Sequence, residues 1–354
     1  MHFSVDGKRI GPNSPTYFIA DIAANHDGSL VRAKKLIKLA AKAGANAAKF
    51  QNFFADTIVS DYGFKKLKGK LSHQSKWKKS IFDVYKKAEL PIAWTKELKK
   101  TCKKFGIDYF TAPYDSSIIN FLNKHVSAWK IGSGDITWHE NIITMAKTNK
   151  PVVIATGASS QKEVDTILKK ILKINKKIVL MQCNTNYTAS DDNFNYINLN
   201  VLKSYKKKYP NIVLGLSDHT LGSETVLGAI ALGVRVVEKH FTDSNSRSGP
   251  DHLFSMNPKT WKKMIISTRK LEKSLGSGLK KIEYNEIQTS IIQRRSIRAN
   301  RYIKKNEVIR KRDLVNLRPC PKNALSPYEF RKIVNRKAKK NINFHEIINI
   351  KNTK

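Results

Sequence analysis

Eight short β-branched runs recur through the first 260 residues, and most are followed by longer Lys-rich stretches with helical spacing. This alternation constrains the fold more than any other feature. The strands are predicted at 16–22, 46–50, 107–111, 127–131, 151–155, 178–182, 212–216 and 234–239. Between most of them apolar residues fall at i, i+3 and i+4, as from Leu30 to Ala43 and from Leu221 to Leu232. The interval 52–106 holds a long loop and then a helix from Thr95 to Phe105. Strands that alternate with helices imply a parallel sheet. Eight of them suffice to close a (β/α)8 TIM barrel, an α/β fold. An open doubly wound sheet also satisfies the alternation, but no GxGxxG follows the first strand.

The pattern changes near residue 262. Trp261 to Leu275 reads as the last helix, and Gly276-Ser277-Gly278 breaks it. Beyond it, Arg294 to Arg318 alternates short apolar runs with turn signals. The expected division is a barrel over 1–275, a linker over 276–292 and a small β-rich domain over 293–354.

The formal charge of +38 raises the question of a nucleic acid or other polyanion as partner. The lysines are spread along the whole chain, mostly as pairs such as Lys34-Lys35, Lys99-Lys100 and Lys169-Lys170 beside apolar residues at helical spacing. They read as solvated helix faces. No Arg-rich tract or interleaved aromatics mark a nucleic-acid platform. No apolar run reaches the roughly 18 residues needed to span a bilayer. Cys102, Cys183 and Cys320 form no CxxC pair, and the first residues lack an apolar leader. A reduced, cytoplasmic setting is expected.

In a barrel of this kind the active site lies at the C-terminal ends of the strands. The predicted strands end, in order, with Asp21; Lys49 and Gln51; Thr111; Lys130, Ser133 and Asp135; Thr156; Asn184 and Tyr187; Ser217 and His219; and Glu238, Lys239 and His240. Buried polar groups cost free energy unless paired. Their arrival at one edge of eight strands points to a site. Lys49 and Lys130 end otherwise apolar strands. Two convergent ammonium groups suit a phosphate or carboxylate. A Schiff base, or an ion pair with Asp21 or Asp135, would also account for such lysines. His219 and His240 end neighbouring strands, where two imidazoles can share one divalent cation and leave positions open. His26 and His252 are weaker candidates.

At these residues the chain resembles the bacterial N-acetylneuraminate (sialic acid) synthase family. The likeness rests on Ile19-Ala20-Asp21 with Asn25-His26-Asp27-Gly28, on Ala48-Lys49-Phe50-Gln51 and on Lys130-Ile131-Gly132-Ser133-Gly134-Asp135. It continues through Ser217-Asp218-His219-Thr220, Glu238-Lys239-His240-Phe241-Thr242 and Gly249-Pro250-Asp251-His252. The tail from Arg294 to Pro319 resembles that family's antifreeze-like (SAF) domain.

The resemblance implies a condensation of phosphoenolpyruvate with the open-chain aldehyde of an acylamino-sugar, giving a nine-carbon acid. By that likeness Lys49, Thr111, Lys130, Ser133, Asn184 and Ser217 hold phosphoenolpyruvate. Asp21, Gln51, Asp135, Tyr187 and Asp251 contact the sugar. His219 and His240 bind a divalent cation, Mn2+ by default, with Mg2+ or Co2+ able to fill similar sites. Arg318 reaches the sugar from the partner subunit of a domain-swapped homodimer. Asp21 or Asp135 serves as base, and Lys130 is part of the catalytic set.

Asp stands at 21 and 135 where the family commonly has Glu, one methylene longer. Cys320 stands where Gly is usual, and Cys does not share the freedom of Gly at positive φ. The acceptor is left open between N-acetylmannosamine and a 2,4-diacetamido-trideoxy-hexose, and a phosphorylated acylamino-sugar is the alternative. The 52–90 region, with His73-Gln74-Ser75 and Trp77, is a further candidate for substrate choice.

Overall fold

The computed structural model describes residues 2–67, 74, 77 and 79–354. His73 and Ser75 therefore lie outside the described residues. The chain divides into two compact units, Met1–Gly276 and Ser277–Lys354.

The first unit opens with a hairpin of β1 (Phe3–Val5) and β2 (Lys8–Ile10), which the sequence reading did not anticipate. A closed barrel follows: β3 (Tyr17–Asp21), β4 (Ala47–Asn52), β5 (Asp108–Pro113), β6 (Trp129–Ile131), β7 (Val152–Ala155), β8 (Ile178–Cys183), β9 (Val213–Asp218) and β10 (Val236–His240). All eight pair in parallel, and β10 closes on β3. Helices cover the outside, among them Leu30–Lys42, Thr95–Lys104, Gln161–Ile171 and Pro258–Ser274. Their starts carry local signals. Ser160 caps the helix Gln161–Ile171 in a capping box with Glu163. Asn257 does the same for Pro258–Ser274, with Pro in the first turn. This is the (β/α)8 TIM barrel expected from the alternation.

Side chains alternate between the two faces of each strand, and the two apolar clusters record it. Phe18, Ala20, Ala48, Phe50, Tyr109, Trp129, Val237 and Phe241 pack outward against the helices. Ile19, Ala47, Phe110, Val153, Val179, Met181 and Val236 fill the barrel, closed from the N-terminal end by Phe3, Val5 and Ile10 of the hairpin. Lys8 of that hairpin pairs with Asp108 at the foot of β5, 2.5 Å away. The interior parity continues upward into the polar residues. Asp21, Lys49, Gln51, Lys130, Ser217, Glu238 and His240 fall on the inward face.

In the second unit β11 (Ser296–Ala299) pairs antiparallel with β12 (Leu314–Leu317). They enclose a small core of Ile297, Ile303, Ile309, Ile333, Ile342 and Ile348. A helix, Ile287–Ile292, occupies part of the expected linker. Arg318 is exposed on this unit. Cys320 is not among the residues at positive φ, so its loop does not use the freedom of Gly. Its N–H donates to the Ile291 carbonyl at 2.8 Å.

The lysine pairs lie at the surface: Lys35, Lys100, Lys169 and Lys170 are exposed, and Lys34 and Lys99 are half-buried. Among the described residues no helix is long and apolar enough to cross a membrane.

Candidate active site

A cavity of about 350 Å³ opens at the C-terminal rim of the barrel. Its floor is charged. Lys49 Nζ lies 2.7 Å from Asp21 Oδ2 and 3.2 Å from Glu238 Oε1. Lys130 Nζ lies 3.4 Å from the same Glu238 oxygen and donates to the Ile131 carbonyl at 3.0 Å. Ser217 Oγ donates to Glu238 Oε1 at 3.3 Å. All five side chains are buried. Asp21 therefore forms the ion pair with Lys49 that the sequence reading left open. Lys130 pairs with Glu238 rather than with Asp135.

Burial opposes every charge here, and the neighbours decide the outcome. The carboxylates of Asp21 and Glu238 outweigh burial at Lys49 and raise its pKa. Lys130, with weaker help from Glu238 and the Lys49 charge nearby, is lowered. Glu238 is held down at about 2: burial raises it, but Lys130 and Lys49 lower it further. Burial raises Asp21 in spite of Lys49.

Above the floor stand two imidazoles, His219 and His240, with ring centroids 5.4 Å apart. Burial brings both down to about 3, helped by the neighbouring imidazole for His219 and by Lys49 for His240, so both are neutral. His219 Nδ1 lies 2.8 Å from the Asn184 carbonyl. A carbonyl only accepts, so Nδ1 carries the proton and Nε2 keeps its lone pair. Among the described residues His240 Nδ1 is buried without a hydrogen-bond partner, with Asp251 Oδ2 3.8 Å away, and Asp21 Oδ2 lies 3.4 Å from its Nε2. Two neutral imidazoles with an unused nitrogen lone pair fit a divalent cation. Among the described residues no group of three or more His, Cys, Asp or Glu is placed to hold a metal ion. Further ligands would come from water and substrate.

Around this core lie the remaining candidates. Gln51 Nε2 is 3.5 Å from Asp21 Oδ2. Tyr187 packs edge-on against His219 at 4.4 Å between centroids. Asp251 Oδ2 accepts the Ala24 N–H at 3.1 Å, and burial raises its pKa to about 7. Asp135 is half-buried at the rim, raised by burial to about 6 with Lys130 opposing. Ser133 Oγ accepts the Gly157 N–H at 3.0 Å. Gly132 is held against Tyr114, whose hydroxyl would lie 2.5 Å from a Cβ there.

Two candidates face elsewhere. Thr111 has the outward parity of Tyr109, and its hydroxyl donates to Asn52 Oδ1 at 2.6 Å. The Asn184 side chain turns to the Tyr196 carbonyl at 3.2 Å; only its backbone serves the site, through His219. Arg318 belongs to the second unit. Glu238, which the two lysines share, carries no role in the sequence reading, although its inward parity with His240 is legible two residues away.

The outer wall is different in kind. The helix Ile81–Ala88 has no fully buried residue. Its Val84, Tyr85 and Ala88 line the cavity, with Phe53, Ile58 and Trp77 beside them. Val84 to Ala88 is one helical turn, so this is an apolar stripe turned to the cavity. Gln74 lines it too.

Residues 36–280 match the model of the NeuB family. The chain is 34% identical over 340 residues to N,N'-diacetyllegionaminic acid synthase of Campylobacter jejuni, covering 94% of this chain and 98% of that protein. It is 32% identical to pseudaminic acid synthase of the same organism, over 94% of this chain and 95% of that one. Among solved structures, N-acetylneuraminic acid synthetase from Leptospira borgpetersenii, in complex with citrate, superposes with a TM-score of 0.71 at 28% identity, covering 82% of this chain and 95% of that one.

Proposed function

The chain belongs to the NeuB family, and from that premise we propose that it joins phosphoenolpyruvate, an N-acylated amino-hexose and water into a nine-carbon sialic-acid-like nonulosonate, releasing phosphate. It is an enzyme of the transferase type. The observation that carries the proposal is the shared floor, where the ammonium groups of Lys49 and Lys130 meet at one oxygen of Glu238. That is a cradle for a small, multiply charged anion.

In this reading Lys49, Lys130, Ser217 and Ser133 bind the enol phosphate. C3 of the enol attacks the aldehyde carbon of the open-chain sugar, and the carbonyl oxygen becomes a hydroxyl. Water adds at C2, the bond from C2 to the bridging oxygen breaks, and phosphate leaves. A divalent cation on His219 and His240, Mn2+ by default, would polarise the aldehyde oxygen. Asp135 takes a proton from the attacking water and gives it up again, so that the water's two protons end on the new hydroxyl and on the departing phosphate. Asp21 is committed to Lys49, whereas Asp135 makes no ion pair among the described residues. Gln51, Asp251 and Tyr187 orient the sugar.

The apolar stripe bears on the acceptor. A phosphate against Val84, Ala88 and Ile58 would lose its water without gaining a cationic partner, and a hydroxymethyl would find only the polar groups of Gln74, Trp77 and Tyr85 among the described residues of this wall. Among the described lining residues the only lysines or arginines are Lys49 and Lys130. A 2,4-diacetamido-trideoxy-hexose, with a methyl at C6, fits this wall better than N-acetylmannosamine or a phosphorylated sugar. The same reading takes the second unit as an antifreeze-like domain whose Arg318 serves the partner's sugar in a domain-swapped homodimer. It also places the enzyme in the cytoplasm, which its free cysteines suit.

The test is phosphate release from phosphoenolpyruvate with Mn2+ and a panel of three acceptors. Release that depends on the acylamino-sugar, fastest with the trideoxy sugar, is expected. No release with any of the three would overturn the function; faster release with N-acetylmannosamine or its phosphate would overturn the acceptor.

A further inference from the structure

Immediately behind the two imidazoles lies a buried polar cluster that touches neither the cavity nor solvent. Asp218 and Lys239 are direct partners in the register of β9 and β10, each one residue before an imidazole. Being one residue earlier, both point outward toward the helices. Lys239 Nζ donates to Asp218 Oδ2 at 2.6 Å and to the Thr220 carbonyl at 2.7 Å. Thr220 returns its N–H and hydroxyl to Asp218 Oδ1 at 3.1 and 2.9 Å. Thr225 closes the set, donating to Asp218 Oδ2 at 2.5 Å. Both members of the ion pair are 1% exposed or less, deep in an otherwise apolar layer.

An apolar pair would fill this place without the cost of stripping two ions of water. The geometry gives the ions a use. His219 is flanked by residues 218 and 220, and both flanks are fastened to one ammonium group. That group belongs to the residue preceding His240. A displacement of either imidazole along its strand therefore breaks bonds at Lys239.

We propose that the Asp218–Lys239 pair, with Thr220 and Thr225, is a positioning device that fixes the separation of His219 and His240 for a shared divalent cation. The inference rests on the cation role given above for the two histidines. It assigns to residues outside the cavity part of the affinity for that cation.

The test uses the full chain and Mn2+ alone, with free Mn2+ followed by electron paramagnetic resonance. Binding of phosphoenolpyruvate is measured separately by calorimetry in the absence of metal. Lys239→Met alone strands a buried carboxylate, so the primary variant is Asp218→Asn with Lys239→Met. The amide still accepts from the Thr220 N–H, and no charge is left unpaired. Its Mn2+ affinity is expected to fall about tenfold or more, with phosphoenolpyruvate affinity and Tm close to those of the unaltered chain. Unchanged Mn2+ affinity would overturn the proposal, as would a parallel loss of both affinities and Tm. Thr225→Val covers the case of a double variant that does not fold. It removes one hydroxyl from Asp218 and should weaken Mn2+ binding by about threefold; no change in that variant would also overturn the proposal. An unaltered chain that binds no Mn2+, while still binding phosphoenolpyruvate, would refute the cation role itself rather than the positioning device alone.

Discussion

Oε1 of Glu238 stands 3.2 Å from Nζ of Lys49, both side chains buried at the floor of the same cavity. Lys130 reaches the same oxygen. Two cations thus share one carboxylate oxygen before any substrate arrives, and this sets up an exchange. In the reaction proposed above, a bound enol phosphate would take over the charge balance that Glu238 supplies.

Glu238→Gln should therefore separate stability from affinity. Removing one partner of a buried ion pair costs about 3–5 kcal/mol, and urea unfolding should show a loss of that order. Phosphoenolpyruvate, relieved of a neighbouring negative charge, should bind more tightly by calorimetry. A variant as stable as the original, or one that binds the anion more weakly, would contradict this account of the floor.

Much of this was legible in the sequence, for identifiable reasons. The eight strands could be read because each is a short apolar run between polar helical stretches. The rim could be read because parallel strands deliver their C-terminal residues to one edge. What was lost was parity. Thr111 was grouped with the anion binders although it follows an inward-facing Phe110 and so points out. Glu238 is named at the end of its strand but carries no role in the sequence reading, although it is two residues before His240. The N-terminal hairpin escaped because two three-residue strands carry too little pattern to show a period. Whether Lys49 meets Asp21 or only a ligand was not legible, because it depends on distances across neighbouring strands.

His240→Ala should abolish metal-dependent turnover while leaving phosphoenolpyruvate binding in place, because the two imidazoles stand above the lysine floor and are neutral before any cation binds. Turnover is followed by phosphate release at rising Mn2+. Retained metal dependence in the variant would remove His240 from the ligand set.

Lys130→Met should act on the anion and not on the sugar. Loss of a buried charge contact is worth at least about 2 kcal/mol, or about 30-fold in the KM for phosphoenolpyruvate. The KM for the acceptor should move little. Equal effects on both would count against the assignment of Lys130 to the anion.

Asp135 should set the acidic limb of the pH profile. Burial raises its pKa to about 6, and it works as a base only when ionised. As pH falls below that value the protonated, inactive form grows, so kcat/KM should fall about tenfold per pH unit. Asp135→Asn should be much slower and lack that limb. A limb that survives in this variant with unchanged midpoint belongs to another group.

The most direct test of the central claim follows the oxygen that bridges carbon and phosphorus in phosphoenolpyruvate. With a heavy isotope at that position and an acylamino-sugar acceptor, mass spectrometry should find the label in the released phosphate, because the bond from C2 to that oxygen breaks. Label retained in the organic acid would mean that the phosphorus–oxygen bond breaks instead, and the rim would then be performing phosphoryl transfer rather than the condensation proposed for it.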